Sequence, residues 1–134
     1  MRRPARLPFF VDVFPDLDLT GGGLGPPGSE PMDIRRAEPP DLESLVPLFE
    51  GYRQFYGRAP DPPQARAFLA DRLAAGDSVI LLASDPGGAL GFTQLYPLYS
   101  SVRCRRLWLL NDLYVAPAAR GRGVARGLLL AARA

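Results

Sequence analysis

From residue 32 onward, apolar and polar positions change period several times, and each change marks an element. Met32 to Ala37 reads as a short first strand. Asp41 can cap a helix whose apolar positions Leu42, Leu45, Val46, Phe49 and Tyr52 recur at helical spacing. Residues 51–60 end that helix with an exposed aromatic cluster. A second helix starts at Asp61-Pro62-Pro63-Gln64, with Asp61 as N-cap, Pro62 in the first turn and Gln64 placed to close a capping box. Ala65, Phe68, Leu69, Arg72 and Leu73 continue it, and Gly76 is a terminator. Residues 78–84 form a continuous apolar run between turn residues, the mark of a central strand. Asp85-Pro86-Gly87-Gly88 is a turn, residues 89–96 the hairpin partner, and residues 105–115 a longer strand after a Pro-Leu-Tyr-Ser-Ser connection. The final helix places Val124, Gly127, Leu128, Ala131 and Ala132 on one face. The order is β-α-α-β-β-β-α, an α/β (α+β) chain with a mixed sheet.

The first 31 residues differ. Residues 15–31 are mostly Gly, Pro and acidic side chains without apolar periodicity, so 1–31 read as a disordered or extension segment, with Met32 as the functional start. The N-terminus begins like a signal peptide. Pro8 and Asp12 interrupt its apolar part and no small-residue cleavage site follows, so secretion is not expected. No run reaches the roughly 18 apolar residues that span a bilayer. One cysteine, Cys104, excludes an intrachain disulfide and fits a cytoplasmic setting. Cys104 and Trp108 are expected to pack. The net charge of +2 is too small to suggest nucleic acid. All 16 basic side chains are arginine, and histidine is absent. That removes the commonest general base and metal ligand, and argues against metal catalysis or histidine triads.

The most specific chemistry lies between Val115 and the final helix, where Gly121, Gly123 and Gly127 interleave with Arg120, Arg122 and Arg126. Glycines let the backbone turn sharply and let a ligand approach it. The first N–H groups of a helix lack partners and attract anions, phosphate above all. The plainer reading is a tight turn with solvated arginines. A P-loop fails because no Gly-Lys-Ser/Thr follows, and a dinucleotide fold lacks its ribose-binding acid.

Residues 110–129 resemble motif A of the GCN5-related N-acetyltransferases, the GNAT superfamily. That motif is Arg or Gln, two residues, Gly, one residue, then Gly or Ala; Arg120, Gly123 and Ala125 fill it, after Leu113, Val115 and Pro117. The element order also matches the family's first two-thirds. The resemblance spans 32–134, implies the GNAT fold, and implies acetyl-CoA as donor. Backbone groups of Gly121, Arg122, Gly123, Val124, Ala125 and Arg126, with Arg120, would hold the pyrophosphate. Leu113, Tyr114 and Val115 would run along the pantetheine arm, with a strand N–H polarising the thioester carbonyl. A primary amine of a small molecule or peptide would attack directly in a ternary complex. Tyr52, Tyr56, Tyr96 and Tyr99 would border its entrance.

An attacking amine must be neutral, and without histidine the proton falls to carboxylates and tyrosines. Asp112 is the only acid after residue 89, in an otherwise apolar strand, and Asn111 beside it is equally out of pattern. The pair is expected at a strand irregularity, as base or amine orienter, or else as a buried polar pair satisfying a bulge. Glu50 and Asp61 could also meet a cationic acceptor, but helix-face solvation and capping are sufficient to explain them. The family pattern continues with a fifth strand, a helix and a hairpin beyond Ala134, so the domain is expected to be incomplete. The alternative function is an inactive remnant that binds CoA weakly or needs a partner chain. A bare strand edge leaves a homodimer open. No nucleic-acid or membrane partner is expected.

Overall fold

The computed structural model describes residues 31–133. The expected 1–31 extension, apart from Pro31, lies outside the described residues. The elements are β1 (Asp33–Arg36), α1 (Leu42–Phe55), α2 (Pro62–Ala75), β2 (Val79–Asp85), β3 (Gly88–Ser100), β4 (Arg105–Val115) and α3 (Val124–Arg133). The expected order is the observed one. The four strands lie in sequence order, and each neighbouring pair is antiparallel.

Two apolar layers sandwich the sheet, and β2 shows why its sequence is apolar throughout. Ile80 and Leu82 face α1 and α2, joining Leu45, Val46, Phe49, Ala65, Leu69 and Phe92. Leu81 and Ala83 point the other way, to Val124 and Leu128 of α3. A strand covered on both faces has no polar positions to alternate.

The caps are rearranged relative to the sequence reading. Asp61 does cap α2, accepting from the Gln64 N–H at 3.1 Å. Gln64 does not close the box: its side chain accepts from Arg53 at 2.8 Å, and the Asp61 N–H donates instead to Glu50 at 2.8 Å. Glu50 is therefore no solvated helix-face residue; it is 7% exposed and ties the α1–α2 connection to α1. Asp41 makes no side-chain cap to α1, because a 3-10 turn over Pro39–Asp41 precedes the helix. Its carboxylate takes the Glu38 N–H and the Arg35 guanidinium. Gly76 ends α2 in the left-handed region at φ 62°. The residues expected to connect β3 to β4 continue the strand as far as Ser100. Cys104 does not pack; it is exposed in the following turn, while Trp108 lies under the Arg106 guanidinium at 5.4 Å.

Gly91 lets the sheet and α3 close on one another. A Cβ there would lie 2.7 Å from the Tyr114 carbonyl oxygen and 3.2 Å from Val115 Cα and Val124 Cγ1. At Gly127 the obstacles are the side-chain ends of Ile34 and Met32, which can shift. Gly91→Ala should cost about 1–3 kcal/mol through overpacking against backbone. Gly127→Ala should stay within about 1 kcal/mol of neutral, since added helix propensity offsets the shift. Urea denaturation of both variants checks the contrast.

Candidate active site

Gln94 of β3 stands opposite Asp112 of β4, and Leu95 stands opposite Leu110, so Asn111 is an extra, unopposed residue. This is a β-bulge, at the pair that breaks the apolar pattern. Strand alternation puts Asp112 and Tyr114 on the α1 face. Leu113 and Val115 lie on the α3 face, where they pack against the second apolar layer.

Asp112 is 5% exposed. Asn111 Nδ2 donates to its Oδ1 at 3.0 Å. The Tyr52 hydroxyl of α1 lies between the Asn111 carbonyl, 3.4 Å away, and the Asp112 carboxylate. Burial pushes the Asp112 carboxyl above its ordinary value, and the hydrogen bonds from Tyr52 and Asn111 offset part of that shift. Burial, then the neighbouring Asp112, raises Tyr52 far above the usual phenol range. The same two causes push Tyr96 up to about 12. Both tyrosines therefore stay protonated at neutral pH and can donate. Gln94 is fully buried beside them; its Nε2 donates to Ser78 Oγ at 2.9 Å.

Among the described residues β4 pairs on one side only. The Ala116 N–H donates to the Leu90 carbonyl at 2.8 Å, so Ala116 faces β3. By the antiparallel alternation Tyr114 and Asp112 do likewise, and the backbone groups of Leu113 and Val115 turn to the open edge. The Val115 carbonyl does accept from outside the ladder, taking Arg120 Nε at 3.2 Å.

After β4 comes a 3-10 turn, Pro117–Ala119, then the glycine-arginine loop. Gly121 and Gly123 hold φ 80° and 79°, which favours glycine, with no atom within 4 Å of where a Cβ would sit. The loop's outer side is thus open at both positions. The Gly127 N–H bonds to the Gly123 carbonyl, so helix α3 supplies no carbonyl for the N–H groups of Val124 and Ala125. Val124's side chain is 2% exposed and belongs to the core, which leaves only its backbone to a ligand. Arg122 does not stand open to solvent, because its Nη2 pairs with Asp85 at 2.8 Å. Arg120 folds back over the Tyr114 ring at 5.7 Å.

A cleft of about 370 Å³ joins these parts, lined by Tyr52, Phe55, Tyr56, Leu113, Tyr114, Val115, Arg120 and Ala125. It brings Tyr52 and Tyr56 together with Leu113, Tyr114, Val115, Arg120 and Ala125. Asn111, Asp112 and Tyr96 cluster with Tyr52 beneath it. Tyr99 is not brought in: three positions on from Tyr96 it lies on the opposite face, and it is 75% exposed opposite Arg106. Sequence reasoning missed Gln94, Glu50 and Asp85, which read there as ordinary strand, helix and turn residues.

The sequence pattern of the "Acetyltransferase (GNAT) family" matches residues 43–134. The chain belongs to that family. This acetyltransferase is 49% identical over 102 residues to "Uncharacterized N-acetyltransferase YhfO" of Bacillus subtilis, covering 76% of the present chain and 68% of the relative. The crystal structure of a probable acetyltransferase aligns with TM-score 0.71 and 46% identity, over 75% of this chain and 68% of that one. A predicted acetyltransferase with acetyl-CoA, from Clostridium acetobutylicum, shares the fold at TM-score 0.62 and 19% identity, over 75% and 70% of the two chains. Among the described residues of this GNAT chain no helix is long and apolar enough to cross a membrane. None of its described acids or Cys104 gather into a group able to hold a metal ion.

The raised Asp112 carboxyl sets a sign for stability against pH. The folded chain keeps this proton to higher pH than the unfolded chain, where an aspartate titrates near ~3.9. Stability contributed at this site therefore falls as pH rises from the unfolded value through the folded one, and stays low above it. Asp112→Asn lacks that loss. Urea denaturation at pH 4 and pH 7.5 should show the variant gaining on the native chain as pH rises. A native chain that gains on the variant would contradict a desolvated carboxylate.

Proposed function

We propose that this GNAT chain transfers acetyl from acetyl-CoA to a primary amine of a small molecule or peptide, by direct attack within a ternary complex. The observation that carries this reading is the cleft itself. It joins the outward backbone of Leu113 and Val115 and the mouth of the glycine-arginine loop to an aromatic rim above a buried carboxylate.

The residues fit the donor. The open sides of Gly121 and Gly123 give a diphosphate room to approach the backbone. The N–H groups there and of Val124 and Ala125, at the positive end of α3, suit an anion. Arg120, at the cleft mouth, and Arg126, in the first turn of α3, add positive charge. The outward N–H groups of Leu113 and Val115 and the Leu113 C=O match an amide-bearing arm as a neighbouring strand would, with Tyr114 beside it. One such N–H is suited to donate to an acyl oxygen. When bound, acetyl-CoA supplies the acetyl thioester.

For the acceptor, Asp112 is the base. A carboxyl raised by burial is better matched to taking a proton near neutral pH than an ordinary one. Asn111 fixes its Oδ1. Tyr52 both lines the cleft and faces Asp112, so its hydroxyl is the group through which the buried carboxylate reaches the amine. Tyr56 and Phe55 form the rim.

Calorimetric titration with acetyl-CoA tests the donor side. Saturable binding is expected, and Gly123→Glu should abolish it, since a carboxylate at φ 79° strains the loop and repels phosphate. With a panel of amine acceptors, Asp112→Asn should lower kcat about 10²–10⁴-fold and leave acetyl-CoA affinity unchanged. A folded chain that fails to bind acetyl-CoA would instead favour the inactive, partner-requiring alternative.

A further inference from the structure

We infer that Asp85 is a positioning residue for the phosphate loop, holding Arg122 as a clamp rather than leaving it as a phosphate ligand. The inference rests on the acetyl-CoA reading above.

Arg122 sits between two glycines that both hold left-handed backbone, Gly121 and Gly123. Flexible residues on either side leave the middle of the loop unfixed unless its side chain is anchored. The anchor is on another element. Arg122 Nη2 donates to Asp85 Oδ2 at 2.8 Å, across 37 residues of sequence, at the end of β2. Asp85 is itself fixed, because its Oδ1 accepts the Gly87 N–H at 2.8 Å. Both carboxylate oxygens are thus used, and the Asp85 side chain is only 7% exposed against 31% for Arg122. The Arg122 hydrogen bond holds the Asp85 carboxyl below its ordinary value, so the pair stays charged at neutral pH.

A loop held this way keeps its N–H groups in place before a ligand arrives, which lowers the ordering cost of binding. An arginine already paired with a covered carboxylate gains little by turning to phosphate, since that would strand Asp85. The two roles for Arg122 predict opposite signs when the Asp85 charge is removed. As a clamp, a loosened Arg122 weakens donor binding. As a phosphate ligand, a released Arg122 strengthens it.

The test uses the full chain with Asp85→Asn, Arg122→Gln and the double variant, against acetyl-CoA and S-acetylpantetheine, which lacks the pyrophosphate. Asp85→Asn keeps an oxygen for the Gly87 turn. The expected result is that each single variant weakens acetyl-CoA binding roughly tenfold and the double variant no further, the non-additivity of a coupled pair. For Asp85→Asn, kcat should stay within about twofold, the mark of a change in binding and not in the chemical step, and the KM for S-acetylpantetheine should not change. Unchanged or tighter acetyl-CoA binding by Asp85→Asn, with Arg122→Gln weakened, would make Arg122 a phosphate ligand and overturn the inference. Equal weakening toward both donors, or loss of folding by Asp85→Asn and by Asp85→Ser alike, would make the pair merely structural and also overturn it. A folded native chain that binds no acetyl-CoA would overturn the underlying reading instead, and is told apart because it needs no variant.

Discussion

The site depends on one extra residue. Without Asn111 in β4, strand alternation could not put Leu110 on the α3 face, Asp112 on the α1 face, and Leu113 and Val115 back toward α3. The bulge changes the strand's phase once, between its two halves. The first half can then serve the sheet while the second presents a carboxylate to α1 and backbone to the open edge. A strand of strict period two would have to choose between a packed Leu110 and an inward Asp112.

The surrounding structure gives the bulge its meaning. Tyr52 reaches the Asn111 carbonyl from the last turn of α1, and the approach of Tyr114 to that helix is possible because residue 51 is glycine: a Cβ there would sit 2.5 Å from the Tyr114 hydroxyl oxygen. Glu50, one residue earlier, pins the connection to α2. Three consecutive residues of one helix thus seat a loop, admit a ring and hold a hydroxyl against a buried acid. The acid is a departure from apolar packing, since desolvation penalises its charged form.

Most of the fold was legible because Gly, Pro and Asp punctuate the periodic segments, and they do so for local reasons: Asp61 and Gly76 bracket α2 where expected. Asp112 was legible as an acid in an apolar strand, and the loop by its glycines. What stayed hidden depends on contacts between distant segments. The Asp61 N–H goes to Glu50 rather than Gln64 because α1 lies alongside α2, a packing that no capping rule contains. Asp85 looked like a turn residue because Asp-Pro-Gly-Gly is sufficient to make a turn; its second oxygen meets Arg122 only once α3 has docked. Tyr99 was misplaced because the strand ran four residues farther than its apolar pattern, and parity then turned the side chain outward.

Among the described residues one edge of β4 is unpaired, and this has a consequence for the molecule in bulk. The outward Leu113 and Val115 N–H groups and the Leu113 carbonyl form one row, which a narrow ligand arm or a backbone strand could fill, but not both. If the proposed donor lies along this row, its occupancy and any strand pairing between copies of the chain would oppose each other. Crowding the chain would lower its apparent appetite for a donor, and saturating it with donor would act as a solubiliser.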